Sequence, residues 1–362
     1  MTEKIKKQDK ILVVRAGRVG DMVMITAALT AILKSFKKAE IHILTGSDGK
    51  RVLNNFDTRI TQFYLYNRKS INAGWIRYKL KRVIGLENYT HIFCFETNPS
   101  YLKLFSKSQA AIHVNQNCTL EKNYAWHCLQ TVSRVTRQQS KEWISLKVSK
   151  ESVKQSDDIF IKNKIDRNAF IIGLHPSFSG LKKFKFRSQR SLHERGWPEE
   201  SWAALARALK KYAEEKGINI HIIMDLLEED RALGERIVAL SDNTITLLIP
   251  EMNFERYKAT LSSMDLLVTP NTGPMHVAGA LGTKMVALFA VESPDNCGPY
   301  IPAEQYTPLM AEDMQNPEAG LAAITVEHVL DACKPFIHHA NEHANSLPIR
   351  LTRKLNNRVV QL

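Results

Sequence analysis

Residues 266–289, LLVTPNTGPMHVAGALGTKMVALF, leave this chain few folds to choose from. The apolar run 266–268 breaks at Thr269-Pro270-Asn271-Thr272-Gly273-Pro274. Proline suits the first turn of a helix, and threonine or asparagine suits its cap, so a helix is expected to start near Thr272 or Gly273. Ala278, Gly279 and Ala280 keep that helix thin enough to lie close to a sheet, Gly282 stops it, and 285–291 reads as a second buried strand. A helix N-terminus directly after a strand offers backbone N–H groups and the positive end of a dipole, which together attract an anion. An ordinary βαβ corner has the same pattern, so the rest of the chain has to discriminate.

Repetition of the pattern does so. An apolar strand at 11–14 runs into Arg15-Ala16-Gly17-Arg18-Val19-Gly20-Asp21, then a helical spacing over 22–36 and a strand at 41–44. Strands follow at 63–66, 91–95 and 113–114, with a basic helix near 75–84 and another at 122–137. The polar, charged segment 151–167 reads as an interdomain linker. A second series then starts: strands at 169–174, 218–224 and 244–248, and helices at 198–216, 229–241 and 254–263. Strands alternating with helices predict parallel sheets, hence α/β architecture with two Rossmann-like domains facing a cleft. The expected division is 1–165, 166–335 and a tail at 336–362 that either packs back on the first domain or is a solvated end.

Length and charge are consistent with two soluble domains. The 362 residues exceed one comfortable core, and 50 Lys and Arg against 37 Asp and Glu give a net charge of +13. Such an excess calls for an anionic partner: nucleic acid, anionic lipid or a phosphorylated ligand. No nucleic-acid module is recognisable, which favours the latter two. No apolar run reaches the roughly 18 residues of a membrane span, and the leader MTEKIKKQDK has no apolar core of a signal peptide. Five scattered cysteines without a C-x-x-C pair read as free thiols rather than a zinc site.

Candidate chemistry gathers where strands end, since ligands of such sheets bind beyond the carboxyl ends of the strands. Gly17-x-x-Gly20-Asp21 is not a dinucleotide fingerprint; its glycines allow a sharp turn and close approach of a ligand. Asp21, in the first helical turn, is either a capping carboxylate or a general base. His175-Pro176-Ser177 ends a strand, and Arg195 precedes Trp197-Pro198 at a helix start, where a guanidinium can pair bidentately with phosphate. Between them lie Lys182, Lys183 and Lys185, interleaved with Phe184 and Phe186. Glu228 either is an ordinary helix-start charge or hydrogen-bonds a ribose. The sequence contains no D-x-D.

In this order, the strand-then-GxxGD start, the strand ending in HPS, RGWPEESWAALARAL and VTPNTGPMHVAGALGTKMVALF resemble the ADP-heptose:lipopolysaccharide heptosyltransferases, glycosyltransferase family 9, over about residues 10–300. The resemblance implies the GT-B fold, inversion at the anomeric carbon, no metal and no cofactor. It implies a nucleotide-sugar donor, ADP-heptose, and a phosphorylated lipopolysaccharide core acceptor. It further implies a cytoplasmic protein, peripheral at the anionic inner-membrane surface, with no nucleic-acid partner. By the same resemblance Asp21 is the base on the acceptor hydroxyl. Arg195, standing where the family more often has Lys, and Thr272, Gly273, Pro274, Met275 and His276 hold the donor diphosphate. Glu228, Asn271 and Ser177 are placed at the donor sugar or nucleoside, and Gly17, Arg18 and Gly20 on the acceptor side. Lys182, Lys183 and Lys185 lie in an insertion, 178–194, that is longer and more basic than is typical of the family, and by their charge they are read as facing the anionic acceptor. The chain departs from the family pattern at Asn271, where the family usually has Asp, and at Asp225-Leu226-Leu227, which replaces a glycine-rich turn. A relative that binds nucleotide sugar or anionic glycolipid without transfer is the alternative these departures keep open.

Overall fold

The computed structural model describes residues 9–67, 71–115, 118–178 and 195–345, with side chains through His338. The chain divides into two compact units, Met1–Ser145 and Leu146–Leu362.

The first unit is built on five parallel strands, β1 (Lys10–Val14), β2 (Glu40–Thr45), β3 (Ile60–Leu65), β4 (His91–Cys94) and β5 (Ala111–Val114). Their spatial order is β3-β2-β1-β4-β5. Its helices are α1 (Val19–Met24), α2 (Thr26–Ser35), α3 (Ser47–Leu53), α4 (Ala73–Leu86) and α5 (Tyr124–Thr136). Central β1 is buried from Ile11 to Val14, so it reads as an unbroken apolar run. The helix expected over 22–36 starts earlier and is broken at Ile25. The Thr26 hydroxyl donates to the Val23 carbonyl at 2.6 Å and accepts the Ser145 amide at 3.1 Å, a side-chain competition that interrupts helices.

The second unit carries six parallel strands, β6 (Phe170–Leu174), β7 (Ile220–Asp225), β8 (Ile245–Leu248), β9 (Leu266–Pro270), β10 (Lys284–Phe289) and β11 (Tyr306–Met310), in the order β11-β10-β9-β6-β7-β8. Helices α6 (Lys150–Lys162), α7 (Glu199–Glu215), α8 (Arg231–Leu240), α9 (Phe254–Ser263), α10 (Gly273–Ala280), α11 (Pro294–Cys297) and α12 (Val326–Asn345) complete it. Trp202, Leu205, Ala206 and Leu209 of α7 are wholly buried, and the Trp197 indole N–H reaches the Ile324 carbonyl at 2.8 Å.

Two expectations are corrected here. The presumed linker at 151–167 is largely helix α6, which packs on α9; Ser152, Ser156 and Phe160 form its buried stripe, too narrow to offset its charged composition. The start of the presumed tail is the body of α12, whose Ile337 and Phe336 belong to the second unit's own core. The division therefore falls at 145/146, ahead of the expected 165/166. Residues 346–362 lie outside the described part. All five cysteines are free.

In each sheet the first strand lies in the middle, with later strands added on one side and then the other. The order reverses between β1 and β4, and between β6 and β9. Loops leaving the carboxyl ends of these paired strands diverge and leave a crevice in such sheets. Asp21 and Glu96 follow β1 and β4; Ser177 and Thr272 follow β6 and β9.

Candidate active site

In the first unit, β1 delivers Arg15 and then turns through Gly17 into α1, placing Asp21 at the third helical position. The Arg18 backbone N–H donates to Asp21 Oδ2 at 2.9 Å, so the carboxylate caps its own helix. Arg15 donates to Oδ1 of the same carboxylate at 2.6 Å. Gly17 makes this turn possible, because a Cβ there would lie 2.2 Å from Asp21 Cβ. Arg18 is exposed and Gly20 half-buried.

Arg15 is itself held from several sides. Its side chain is 12% exposed, its guanidinium lies 4.6 Å from the centre of the Tyr124 ring, and it approaches Glu96 Oε1 at 4.0 Å. Glu96 Oε1 also accepts the Ala16 amide at 2.5 Å, and the Tyr124 hydroxyl donates to the Phe95 carbonyl. Burial works against the Arg15 cation, but Tyr124, Asp21 and Glu96 outweigh it and push its pKa up, so the group stays charged. Arg15, Glu96 and Tyr124 were not anticipated. Arg15 and Glu96 each follow a strand, which is legible locally, but those strands become neighbours only in the fold.

In the second unit, Thr272 is the N-cap of α10, with Pro274 in its first turn. The Thr272 hydroxyl does not cap; it lies 3.3 Å from both the Pro270 carbonyl and Thr269 Oγ1. Met275 and His276 are buried, and Gly279 permits close packing, since a Cβ there would meet Pro299 Cβ at 3.1 Å. The Asn271 amide nitrogen donates to Cys297 Sγ at 3.0 Å, and that thiol donates on to the Ser293 carbonyl at 3.3 Å. Burial pushes the Cys297 thiol up to about 11, so it remains protonated and able to donate.

Beside this turn, the His175 amide donates to the Val268 carbonyl at 3.0 Å, tying the end of β6 to β9. Burial lowers the His175 imidazole to about 4, against a raising backbone hydrogen bond at Ser177. The Ser177 hydroxyl donates to Asp230 Oδ2 at 2.5 Å with both groups buried, a partnership not foreseen. Asp225, at the end of β7, forms a buried ion pair with Arg256. Glu228 is exposed and held bidentately by Arg231, at 2.8 Å on each oxygen. Arg195 is exposed ahead of Trp197 and Pro198, the latter being the N-cap of α7. Lys182, Lys183 and Lys185 lie outside the described residues. Among the described residues no three His, Cys, Asp or Glu side chains gather as a metal site, and no helix is long and apolar enough to cross a membrane.

The family model for glycosyltransferase family 9 (heptosyltransferase) matches residues 138–319, half of the chain. The chain belongs to glycosyltransferase family 9. A curated relative, the lipopolysaccharide core heptosyltransferase OpsX of Haemophilus influenzae, is 27% identical over 122 residues. That match spans about a third of each protein, 34% of this chain and 34% of the relative. Among solved structures, a family 9 glycosyltransferase from Veillonella parvula is similar with a TM-score of 0.75 at 15% identity, covering 91% of this chain and 97% of its own. ADP-heptose lipopolysaccharide heptosyltransferase II of E. coli gives a TM-score of 0.66 at 17% identity, covering 92% and 99%. E. coli heptosyltransferase WaaC with ADP gives 0.63 at 14% identity, covering 91% and 99%. These structures share the two-sheet α/β fold of this chain, the GT-B fold.

Proposed function

We propose that this chain is an inverting, metal-independent glycosyltransferase that moves a heptose from ADP-heptose onto the lipopolysaccharide inner core. The observation that carries the reading is positional: in a family 9 chain, Asp21 and the Thr272–His276 turn both leave the central strands at the point where strand order reverses. The first unit supplies the acceptor side and the second the donor side.

Asp21 takes the proton of the acceptor hydroxyl as that oxygen bonds to the anomeric carbon. The bond from that carbon to the diphosphate oxygen breaks in the same displacement, and the electron pair leaves with the nucleoside diphosphate. One displacement inverts configuration. Two of the hydrogen-bonding positions of Asp21 are filled by Arg15 and Arg18, and its remaining lone pairs can receive the proton. Arg195 and the amides at the start of α10 stabilise the leaving diphosphate in the place of a metal. Glu228, Asn271 and Ser177 line the sugar or nucleoside; Gly17, Arg18, Gly20 and the basic residues Lys182, Lys183 and Lys185 serve the phosphorylated acceptor. The protein works at the cytoplasmic face of the inner membrane, without a nucleic-acid partner.

The test is a donor screen by mass spectrometry against truncated lipopolysaccharide cores. Mass gain of one heptose with ADP-heptose supports the reading, and normal turnover by Asp21→Ala would remove Asp21 from the role of base. Asn271, turned onto Cys297, favours one other reading, binding without transfer. Calorimetry showing ADP-heptose binding, with no product on any core, would select it.

A further inference from the structure

Helix α4 turns an apolar and basic face to solvent. Leu80 and Ile84 are its buried residues and belong to the first unit's core, with Ile76 packed beside them. On the opposite side Trp75, Tyr78, Arg82 and Leu86 follow one another at helical spacing. Trp75 and Tyr78 are each 60% exposed and Leu86 78%, and Ile71 just ahead of the helix is fully exposed. Lys79 flanks the stripe, its ammonium 3.5 Å from the centre of the Trp75 ring.

The charge on this helix has one sign. Arg77, Lys79, Lys81 and Arg82 are accompanied by no carboxylate within α4. The first acid beyond it, Glu87, is held by Lys10 at 2.5 Å. Gly85 lets a further cation approach, since a Cβ there would come within 2.9 Å of Lys107 Cβ.

A helix packed on a soluble core normally shows polar residues on its outer side. Trp, Tyr and Leu projecting among Lys and Arg match the interfacial region of a bilayer instead, where rings and alkyl stems enter the headgroup layer and cations stay at the phosphates. Nucleic acid would use the charge but not Leu86 and Ile71. A second copy of this chain would bring four like charges against four. We propose that the outer face of α4 docks the protein on an anionic phospholipid bilayer. The proposal rests on the reading of the acceptor as a membrane glycolipid, yet it can be tested without the reaction.

The experiment is flotation of the full chain with vesicles of phosphatidylethanolamine and phosphatidylglycerol, and with phosphatidylcholine alone. The protein is expected to float with the anionic vesicles and not with the neutral ones. Trp75→Ser/Tyr78→Ser/Leu86→Ser should lower partition at least tenfold, and neutralising Lys79 or Arg82 about fivefold per charge. These side chains are exposed, so thermal unfolding should not shift and turnover of a soluble core oligosaccharide in vesicle-free buffer should be unchanged. Equal flotation of wild type and triple variant overturns the proposal, as does failure of the wild type to float. A triple variant that turns a dimer into a monomer while flotation is unchanged overturns it in favour of a second copy. Unchanged flotation with lost oligonucleotide binding overturns it in favour of nucleic acid. Failure of the transferase reading would appear separately, as no product from the soluble acceptor with any variant.

Discussion

Arg15 grips Asp21 through Oδ1 at 2.6 Å while the backbone amide of Arg18 holds Oδ2 at 2.9 Å. A carboxylate tethered at both oxygens keeps one orientation. That orientation is set by the end of β1 and the start of α1, two elements anchored in the first unit's core. Under the proposed reaction, Asp21→Asn should lower kcat by roughly 10²–10⁴-fold, the usual weight of a general base. Donor affinity by calorimetry should stay at the wild-type value. A variant with wild-type kcat would show that the carboxylate only caps the helix.

Arg15 is a positioning residue in this scheme. Arg15→Met removes the grip on Oδ1 but leaves in place Asp21, whose side chain is 40% exposed, with its hold from the Arg18 amide. The loss should therefore fall on kcat, about tenfold by analogy with other mispositioned groups, and leave the donor KM unchanged. Arg15→Lys should recover part of it, since an ammonium can reach one oxygen but cannot lie flat against Tyr124. A KM defect with intact kcat would assign Arg15 to donor binding instead.

Gly17 is constrained by the same carboxylate. A methyl group built at residue 17 lies 2.2 Å from Asp21 Cβ, an atom fixed directly to the backbone, and 2.6 Å from its carboxyl group. Gly17→Ala should destabilise the first unit by about 1–3 kcal/mol, as overpacking does, and depress turnover further than the stability loss explains. Chemical denaturation and steady-state rates on one preparation separate the two effects.

How much of this was legible in the sequence depended on whether the signal was local. Strands buried on both faces, such as β1 and β9, read as continuous apolar runs, and the Thr272 start of α10 was marked by its own residues. Strand β11 leaves no clear strand signal in the sequence, because it is a half-buried edge strand with Pro308 inside it. Helix α6 reads as a linker in the sequence because a single stripe of Ser152, Ser156 and Phe160 is all it buries. In the site, Asp21 sits inside a local motif. Arg15 with Glu96, or Ser177 with Asp230, meet only because β4 lies beside β1 and β7 beside β6, an adjacency that chain order does not reveal; Tyr124 reaches Arg15 from the start of α5.

Asp225 and Arg256 form a pair buried almost completely, with side chains 2% and 6% exposed. Removing one partner strands the other charge in the interior. Arg256→Met should cost about 3–5 kcal/mol in urea unfolding, while the double variant Asp225→Leu/Arg256→Met should recover most of it. If the single variant costs no more than the double, the pair is not a mutual counterion.

His175 makes the acid side of the stability profile testable. Its imidazole is lowered from 6.5 to about 4 by burial, so between those values the unfolded chain binds a proton that the folded chain refuses. Stability from this group is present above pH 6.5 and is lost as pH falls toward 4, up to an amount on the order of 3 kcal/mol. Asp225 runs the opposite way. Burial pushes its carboxyl up from 3.8 to about 6 despite the pull of Arg256, so the folded state binds the extra proton and gains stability as pH falls through the same window. The two slopes partly cancel in the wild type. His175→Gln deletes one of them, and urea unfolding at pH 7, 6, 5 and 4.5 should show the variant losing less stability on acidification than the wild type does. Parallel profiles for the two proteins would mean that His175 takes up its proton at the same pH folded and unfolded, and that β6 ends in a hydrated imidazole.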